Sequence, residues 1–121
     1  MLNLDTHILL HALGGTLKPT EREVLASDIW SISAIVPWEV CKLRQLGRIE
    51  LDLDLPEVAR ILNRLHTWPL TWDICRASCR LDIGGDPADQ LIAATSLVHN
   101  VPLVTRDSAM RRSKQIPLAL V

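Results

Sequence analysis

The sequence contains no phenylalanine and no tyrosine, so Leu, Ile, Val, Ala and the four tryptophans must fill any core. Trp30, Trp38, Trp68 and Trp72 are accordingly expected as core or dimer contacts rather than as platforms for stacked bases. Cysteine is scarce: Cys41, Cys75 and Cys79 make no C-x-x-C pair, which argues against a cysteine metal site. An odd count without a signal-peptide pattern suits a reduced, cytoplasmic protein. Cys75 and Cys79 lie on an expected helix and read as small buried residues. No apolar run approaches the ~20 residues that a membrane-spanning helix needs. Charge imbalance is also missing. The formal net charge is −1, so any grip on nucleic acid must come from a local basic patch. No repeat, low-complexity stretch or linker interrupts the chain, and its 121 residues read as one domain, 1–121, with one core.

What the chain does have is alternation. Residues 1–4 read as a first strand ending at an acid, Asp5. Thr6 to Leu13 patterns as a helix that Gly14-Gly15 stops. Thr20 with Glu23 has the spacing of a capping box for a second helix running to about Ser27. Ile29 to Ile32 is a strand candidate. Ser33 then caps a helix to Leu46, with Val36, Val40 and Leu43 on its apolar face and Gly47 at its end. Pro37 sits early enough in that helix to be tolerated. Pro56 to Leu65 is predicted as a helix, Leu70 to Trp72 as a strand and Ile74 to Leu81 as a helix. After the Gly84-Gly85 loop, Asp86-Pro87-Ala88-Asp89 gives the clearest helix start in the sequence: an N-cap acid, proline at the first helical position and a second acid in the first turn. Leu91, Ile92, Thr95 and Val98 are its expected buried face, and Asn100 its terminator. Pro102 to Val104 reads as a strand, and Ile116 to Val121 as a final edge strand. Such alternation predicts an α/β fold, a three-layer α/β/α sandwich around a mainly parallel sheet, with the ligand site beyond the carboxyl ends of the strands.

Several acids fall where that rule wants them. Asp5 follows the first strand, Asp107 lies just past the Leu103-Val104 strand, and Asp86 and Asp89 open a helix after a glycine loop. Glu39 sits beside the Val36–Val40 stripe but off it, so it can face a pocket while its helix stays packed. Each acid also has an ordinary reading: Asp5, Asp86 and Asp89 as helix-start residues, Asp107 as a turn residue, Glu39 as a solvated helix residue. Taken together they imply more. Two unit charges 4 Å apart repel by ~4 kcal/mol at an effective dielectric of about 20, so acids gathered in one crevice either protonate or bind a cation. Carboxylate oxygens favour Mg²⁺ or Mn²⁺ over Zn²⁺, and such sites are typically completed by a substrate phosphate.

The same segments resemble the PIN-domain ribonucleases, and specifically the VapC-type toxins of bacterial toxin–antitoxin pairs. Leu2-Asn3-Leu4-Asp5-Thr6-His7 looks like that family's strand-end first acid. Ser33-Ala34-Ile35-Val36-Pro37-Trp38-Glu39-Val40 is similar to its second-acid helix. Asp86-Pro87-Ala88-Asp89-Gln90-Leu91-Ile92-Ala93-Ala94 matches its third motif, and Leu103-Val104-Thr105-Arg106-Asp107 its fourth. The resemblance implies a Mg²⁺- or Mn²⁺-dependent endoribonuclease acting on an RNA substrate, a homodimer, and a cognate antitoxin that blocks the site, with no membrane role. It assigns the catalytic acids to Asp5, Glu39, Asp89 and Asp107. Asp86 is either a fifth metal ligand or only the cap that aims Asp89, while Thr6 and Thr105 support the site through their hydroxyls. Gln90 stands where a basic residue is common, and the chain is short for the family.

Other features carry two readings each. Arg106, Arg111, Arg112 and Lys114 either hold RNA phosphates or form a solvated face. Lys42, Arg44 and Arg48 suit the C-terminal end of a helix dipole. His7 and His11 have the spacing of a helical zinc pair but lack a third ligand. A PIN-like module that binds RNA or protein without cutting is the alternative function, against which the full set of acids argues. A receiver-type phosphoacceptor would need paired acids after the first strand and a late lysine; this chain has Asp5 alone and Arg106.

Overall fold

A computed structural model of the protein describes residues 1–120. Along the chain come β1 (Leu2–Leu4), α1 (Thr6–Gly14), α2 (Pro19–Ala26), β2 (Trp30–Ser33), α3 (Ile35–Gln45), α4 (Pro56–Arg64), β3 (His66–Trp68), α5 (Trp72–Ser78), α6 (Pro87–His99), β4 (Leu103–Val104) and α7 (Ser108–Arg111). Among the described residues the sheet runs β3-β2-β1-β4, and every pairing is parallel. Asn3 in β1 is in register with Ser31 on one side and Leu103 on the other, so β1 is a central strand. Successive strand residues point to opposite faces. Leu2, Asn3 and Leu4 are all buried, so helices cover both faces of β1, as the three-layer expectation requires.

Asn3 shows how one of those layers is attached. Its Nδ2 donates to the Ile92 carbonyl at 3.2 Å and to Ser96 Oγ at 2.9 Å, fastening β1 to α6. Around this seam Leu4, Ile8, Val36, Ile92, Leu103 and Val104 are buried almost completely. Side chains of this kind each contribute roughly 1.5–3 kcal/mol by leaving water. Helix α6 is fully buried from Ile92 to Ser96, and the small Ala93 and Ala94 let it lie close to its neighbours.

Several helix ends follow the sequence signals. Gly15, at φ 72°, closes α1 through its N–H to the His11 carbonyl, and Asn100, at φ 51°, closes α6 in the left-handed conformation. Asp86 caps α6 by accepting from Ala88 N at 2.9 Å. Others differ. The second helix starts earlier than expected, with Pro19 at its first position. Glu21, not Glu23, reaches back to accept from Lys18 N at 2.8 Å. Ser33 remains the last residue of β2, and Ala34 is the N-cap of α3, although Ser33 Oγ still accepts from Ile35 N at 3.3 Å.

The expected strand at Leu70–Trp72 lies instead at His66–Trp68. Thr71 caps α5 by accepting from Ile74 N, so Trp72 is already helical and α5 ends at Ser78, short of Leu81. Trp68 stacks on His99 with centroids 4.0 Å apart and meets His66 edge-on at 4.3 Å. Trp38 and Trp72 are exposed, which removes them from the core. Val98 is exposed rather than on the buried face of α6. Cys41 and Cys79 are exposed and Cys75 only partly buried, so the two helical cysteines are not core residues. The C-terminal strand shrinks to a single parallel bridge, Leu118 to Leu103, flanked by Leu103 N to Pro117 O and Ala119 N to Leu103 O; Val121 falls outside the described residues. Among those residues no helix is long and apolar enough to cross a membrane.

Candidate active site

Asp5 ends β1 and begins α1. Its backbone N–H still donates to Val104 O at 3.1 Å as a strand residue would, while its Oδ1 accepts from Thr6 N at 2.8 Å as a helix cap would. The second oxygen, Oδ2, accepts from Thr105 Oγ1 at 2.7 Å. One carboxylate therefore both caps α1 and takes a hydrogen bond from the residue that follows β4. Asp5 is 3% exposed, and this burial pushes its pKa up against the opposing pull of the Thr105 and Thr6 hydrogen bonds.

Thr6 links the next acid. Its hydroxyl donates to Glu39 Oε1 at 2.6 Å, which ties α1 to α3 at the end of the sheet where the strands terminate. Burial also raises the Glu39 pKa, with Asp86 and Asp5 adding repulsion and Thr6 opposing it. Thr105 serves the remaining side: its Oγ1 accepts from Asp107 N at 3.0 Å, while Asp107 Oδ1 caps α7 through Met110 N at 2.9 Å. The two threonines expected to support the acids thus each touch them.

Asp89 reveals the convergence. Its pKa is pushed up to about 7, first by burial and then by the charges of Asp5, Asp86, Glu39 and Asp107. Acids from the β1–α1 junction, α3, α6 and the β4–α7 loop therefore lie within one another's field, beyond the carboxyl ends of the parallel strands. They are not drawn into a finished coordination shell: among the described residues no three His, Cys, Asp or Glu side chains form a ready-made metal group. The donor set is hard carboxylate oxygen carrying more negative charge than it can hold, which fits a hydrated Mg²⁺ or Mn²⁺ that keeps several of its waters. His7 is exposed near Asp5. His11 does not pair with it for zinc, because its Nδ1 is 2.6 Å from Thr16 Oγ1 and its Nε2 is 2.9 Å from Arg106 Nη1.

The expected basic quartet divides. Arg106 is committed inward: its Nε and Nη2 donate to the two oxygens of Glu21 at 2.8 and 2.6 Å. Glu21 is buried, and the Arg106 guanidinium is the first reason its pKa falls to about 2. Arg106 is thus a strut between α2 and the β4–α7 loop. Arg111 donates to the Thr105 carbonyl at 3.1 Å. Arg112 and Lys114 are exposed, in a stretch held by Lys114 N on Asp82 Oδ2 at 2.9 Å. Sequence reasoning missed Glu21. Its position behind Pro19 marks a helix start, but nothing local marks its partner 85 residues away.

The PIN domain family model matches residues 3–115. A curated relative, Ribonuclease VapC22 of Mycobacterium tuberculosis, is 29% identical over 117 residues, covering 89% of this chain and 88% of the relative. Among solved structures, VapBC2 from Rickettsia felis bound to a promoter DNA fragment superposes with a TM-score of 0.69 at 20% identity, covering 98% of both chains. FitAcB from Neisseria gonorrhoeae gives a TM-score of 0.68 at 20% identity, covering 99% of this chain and 97% of the other. At such identities the structural likeness speaks to the fold.

Proposed function

The chain belongs to the PIN-domain family, and from that premise we propose that it is a divalent-metal-dependent endoribonuclease, the toxin of a toxin–antitoxin pair. The observation that carries the reading is Asp89, an acid pushed to about 7 by burial and by four neighbouring carboxylates. A group in that position calls for a compensating cation. Asp5, Glu39, Asp89 and Asp107 are the residues to hold Mg²⁺ or Mn²⁺, with Asp86 at the edge of the set. What such an ion supplies when bound is positive charge that acidifies water and offsets the charge gathering on the phosphate during cleavage.

The remaining work is done by side chains of the protein. Thr105 and the Thr6 N–H fix both oxygens of Asp5, and the Thr6 hydroxyl fixes Glu39, so these acids do not have to be ordered when substrate arrives. Asp86 holds the first turn of α6 and with it the direction of Asp89. Asp89 must release its proton before it can hold a cation. Names of relatives supply the biological setting: one is a ribonuclease, and one solved neighbour is a toxin–antitoxin complex from Klebsiella pneumoniae. We carry both to this chain as proposals, with an antitoxin that shields the acid crevice and a homodimer that covers exposed apolar side chains such as Trp38 and Trp72.

The deciding experiment incubates the protein with total bacterial RNA in Mg²⁺ or Mn²⁺, with and without EDTA, beside Asp5→Asn and Asp89→Asn. Cleavage that requires metal and vanishes in both variants is expected. Undiminished cleavage in EDTA overturns the mechanism, and intact RNA that nonetheless binds in metal leaves a silent binding module.

A further inference from the structure

Arg106 reaches a third element besides α2 and its own loop. Its Nη1 lies 2.9 Å from Nε2 of His11, in the last turn of α1, and its Nη2 donates to the Thr16 carbonyl at 3.4 Å. A guanidinium offers only donors and keeps its charge in proteins. Nε2 of His11 must therefore present a lone pair. The ring is then neutral, with its proton on Nδ1, and from there it donates to Thr16 Oγ1 at 2.6 Å. One chain of hydrogen bonds thus runs from Thr16 through His11 and Arg106 to Glu21. It ties the end of α1, the α1–α2 turn and α2 to the loop that carries Asp107.

The chain tolerates a single protonation state. A proton on Nε2 would set two cationic donors face to face across 2.9 Å, and the contact would have to open. The charged groups around the ring are Arg106 from the β4–α7 loop, Glu21 from α2, Lys18 from the turn before it and His7 from α1 itself. Glu21 alone favours the charged ring, and both its oxygens already accept from Arg106. Burial first, and then the Arg106 charge, hold the His11 pKa below the ordinary 6.5. The stability this contact adds is therefore whole above that ordinary value and is lost as pH falls through the lowered one.

We propose that His11 is a positioning residue that works only as the neutral ring: it latches the Arg106 side chain at neutral pH and, on taking up a proton, releases it and loosens the turn that holds Asp107. What this does to a bound metal ion rests on the nuclease reading. The latch itself does not, since it involves only groups of the protein.

The test follows the full chain, labelled with ¹⁵N and free of metal, by NMR. At neutral pH the ring-nitrogen shifts of His11 should show the proton on Nδ1. Between neutral pH and about pH 5, protection of the Asp107 and Met110 amides, corrected for intrinsic exchange, should fall about tenfold, the scale of one hydrogen bond. His11→Gln keeps a neutral acceptor at every pH and should hold its protection across the interval. Asp89 titrates over part of the same range, so the reading is the difference between the two proteins. His11→Phe has no acceptor and should be loosened already at neutral pH. A proton on Nε2 at neutral pH in the unsubstituted protein overturns the latch, whatever the variants do. Equal acid-induced loss in that protein and in His11→Gln, or no loss in either, overturns it too. Cleavage is not scored, so a failed latch leaves the nuclease reading standing, and RNA left uncut in its own assay leaves the latch.

Discussion

The hydroxyl of Thr105 donates to Oδ2 of Asp5 across 2.7 Å, from a residue 100 positions further along the chain. Two adjacent parallel strands, β1 and β4, deliver both groups to the same end of the sheet. Thr105→Val removes this donor while keeping the shape of the side chain. The Asp5 carboxylate then loses a hydrogen bond that favours its charged form, and Asp107 loses the acceptor for its N–H. Substitutions of residues that orient metal ligands typically cost 10–100-fold in affinity or activity. We expect Mg²⁺ binding, read by calorimetry, to weaken about tenfold in Thr105→Val, with the circular dichroism spectrum unchanged. Wild-type affinity would remove Thr105 from the site.

Asp89→Asn should abolish metal-dependent cleavage yet stabilise the metal-free protein. It removes a carboxylate that faces the charges of Asp5, Asp86, Glu39 and Asp107. A melting temperature raised by a few degrees, roughly what 1 kcal/mol gives in a domain of this size, is the expected result in EDTA. In saturating Mg²⁺ the order should reverse, since only the native acid gains from the ion. A lower melting temperature for Asp89→Asn in EDTA would contradict the crowding of these charges.

The same carboxyl sets a pH dependence. The ordinary value for Asp89 is 3.8 and the folded value about 7, so between those limits the folded chain holds a proton that the unfolded chain has released. The contribution of Asp89 to stability is therefore whole below about pH 4 and is lost as pH rises through 7. Denaturant titrations of the metal-free protein should show this loss between about pH 4 and pH 7, and Asp89→Asn should reduce it. Mg²⁺ affinity should rise over the same interval, because binding must displace the proton.

Glu21 behaves in the opposite sense. Its folded value of about 2 lies below the ordinary 4.5, so the stability it adds through Arg106 is present above that ordinary value and disappears as pH falls toward 2. Glu21→Ala should destabilise by about 2 kcal/mol, the scale of hydrogen bonds between charged groups, and should loosen the β4–α7 loop. Chemical denaturation at pH 7 reads the first effect, and hydrogen exchange at the Asp107 and Met110 amides reads the second. Unchanged protection there would mean that Arg106 does not brace the loop.

These residues also show what was legible in the sequence. Asp86-Pro87-Ala88-Asp89 announces a helix start because cap, proline and dipole all act within four positions, and α6 begins there. Asp5 and Asp107 stand out by their place relative to strand ends, and Glu39 by its place beside the apolar stripe of α3. Strand β3 has no local signature because His66 and Thr67 are exposed and only Trp68 is partly buried, so no alternation of apolar and polar residues marks it; its pairing with β2 rests on the backbone. Leu70 and Trp72 look like strand residues by composition, but Thr71 caps a helix between them. The Glu21–Arg106 pair has no local signature at all. A long-range ion pair is decided by the fold, which brings Arg106 to Glu21 across 85 positions.

The double duty of Asp5 bears on how the gene can lose its activity. A substitution there strikes the proposed metal site, the start of α1 and the seam between β1 and β4 together, so the expected product is a chain that is inactive and also poorly built. Asp89 projects from a helix that Asp86 already caps, and its loss leaves the framework whole. Inactivating alleles should therefore sort into two kinds. Those at the strand end would be cleared as damaged protein. Those on α6 would accumulate as intact copies that still occupy whatever partner the active form binds, and would act as decoys in a cell that carries both.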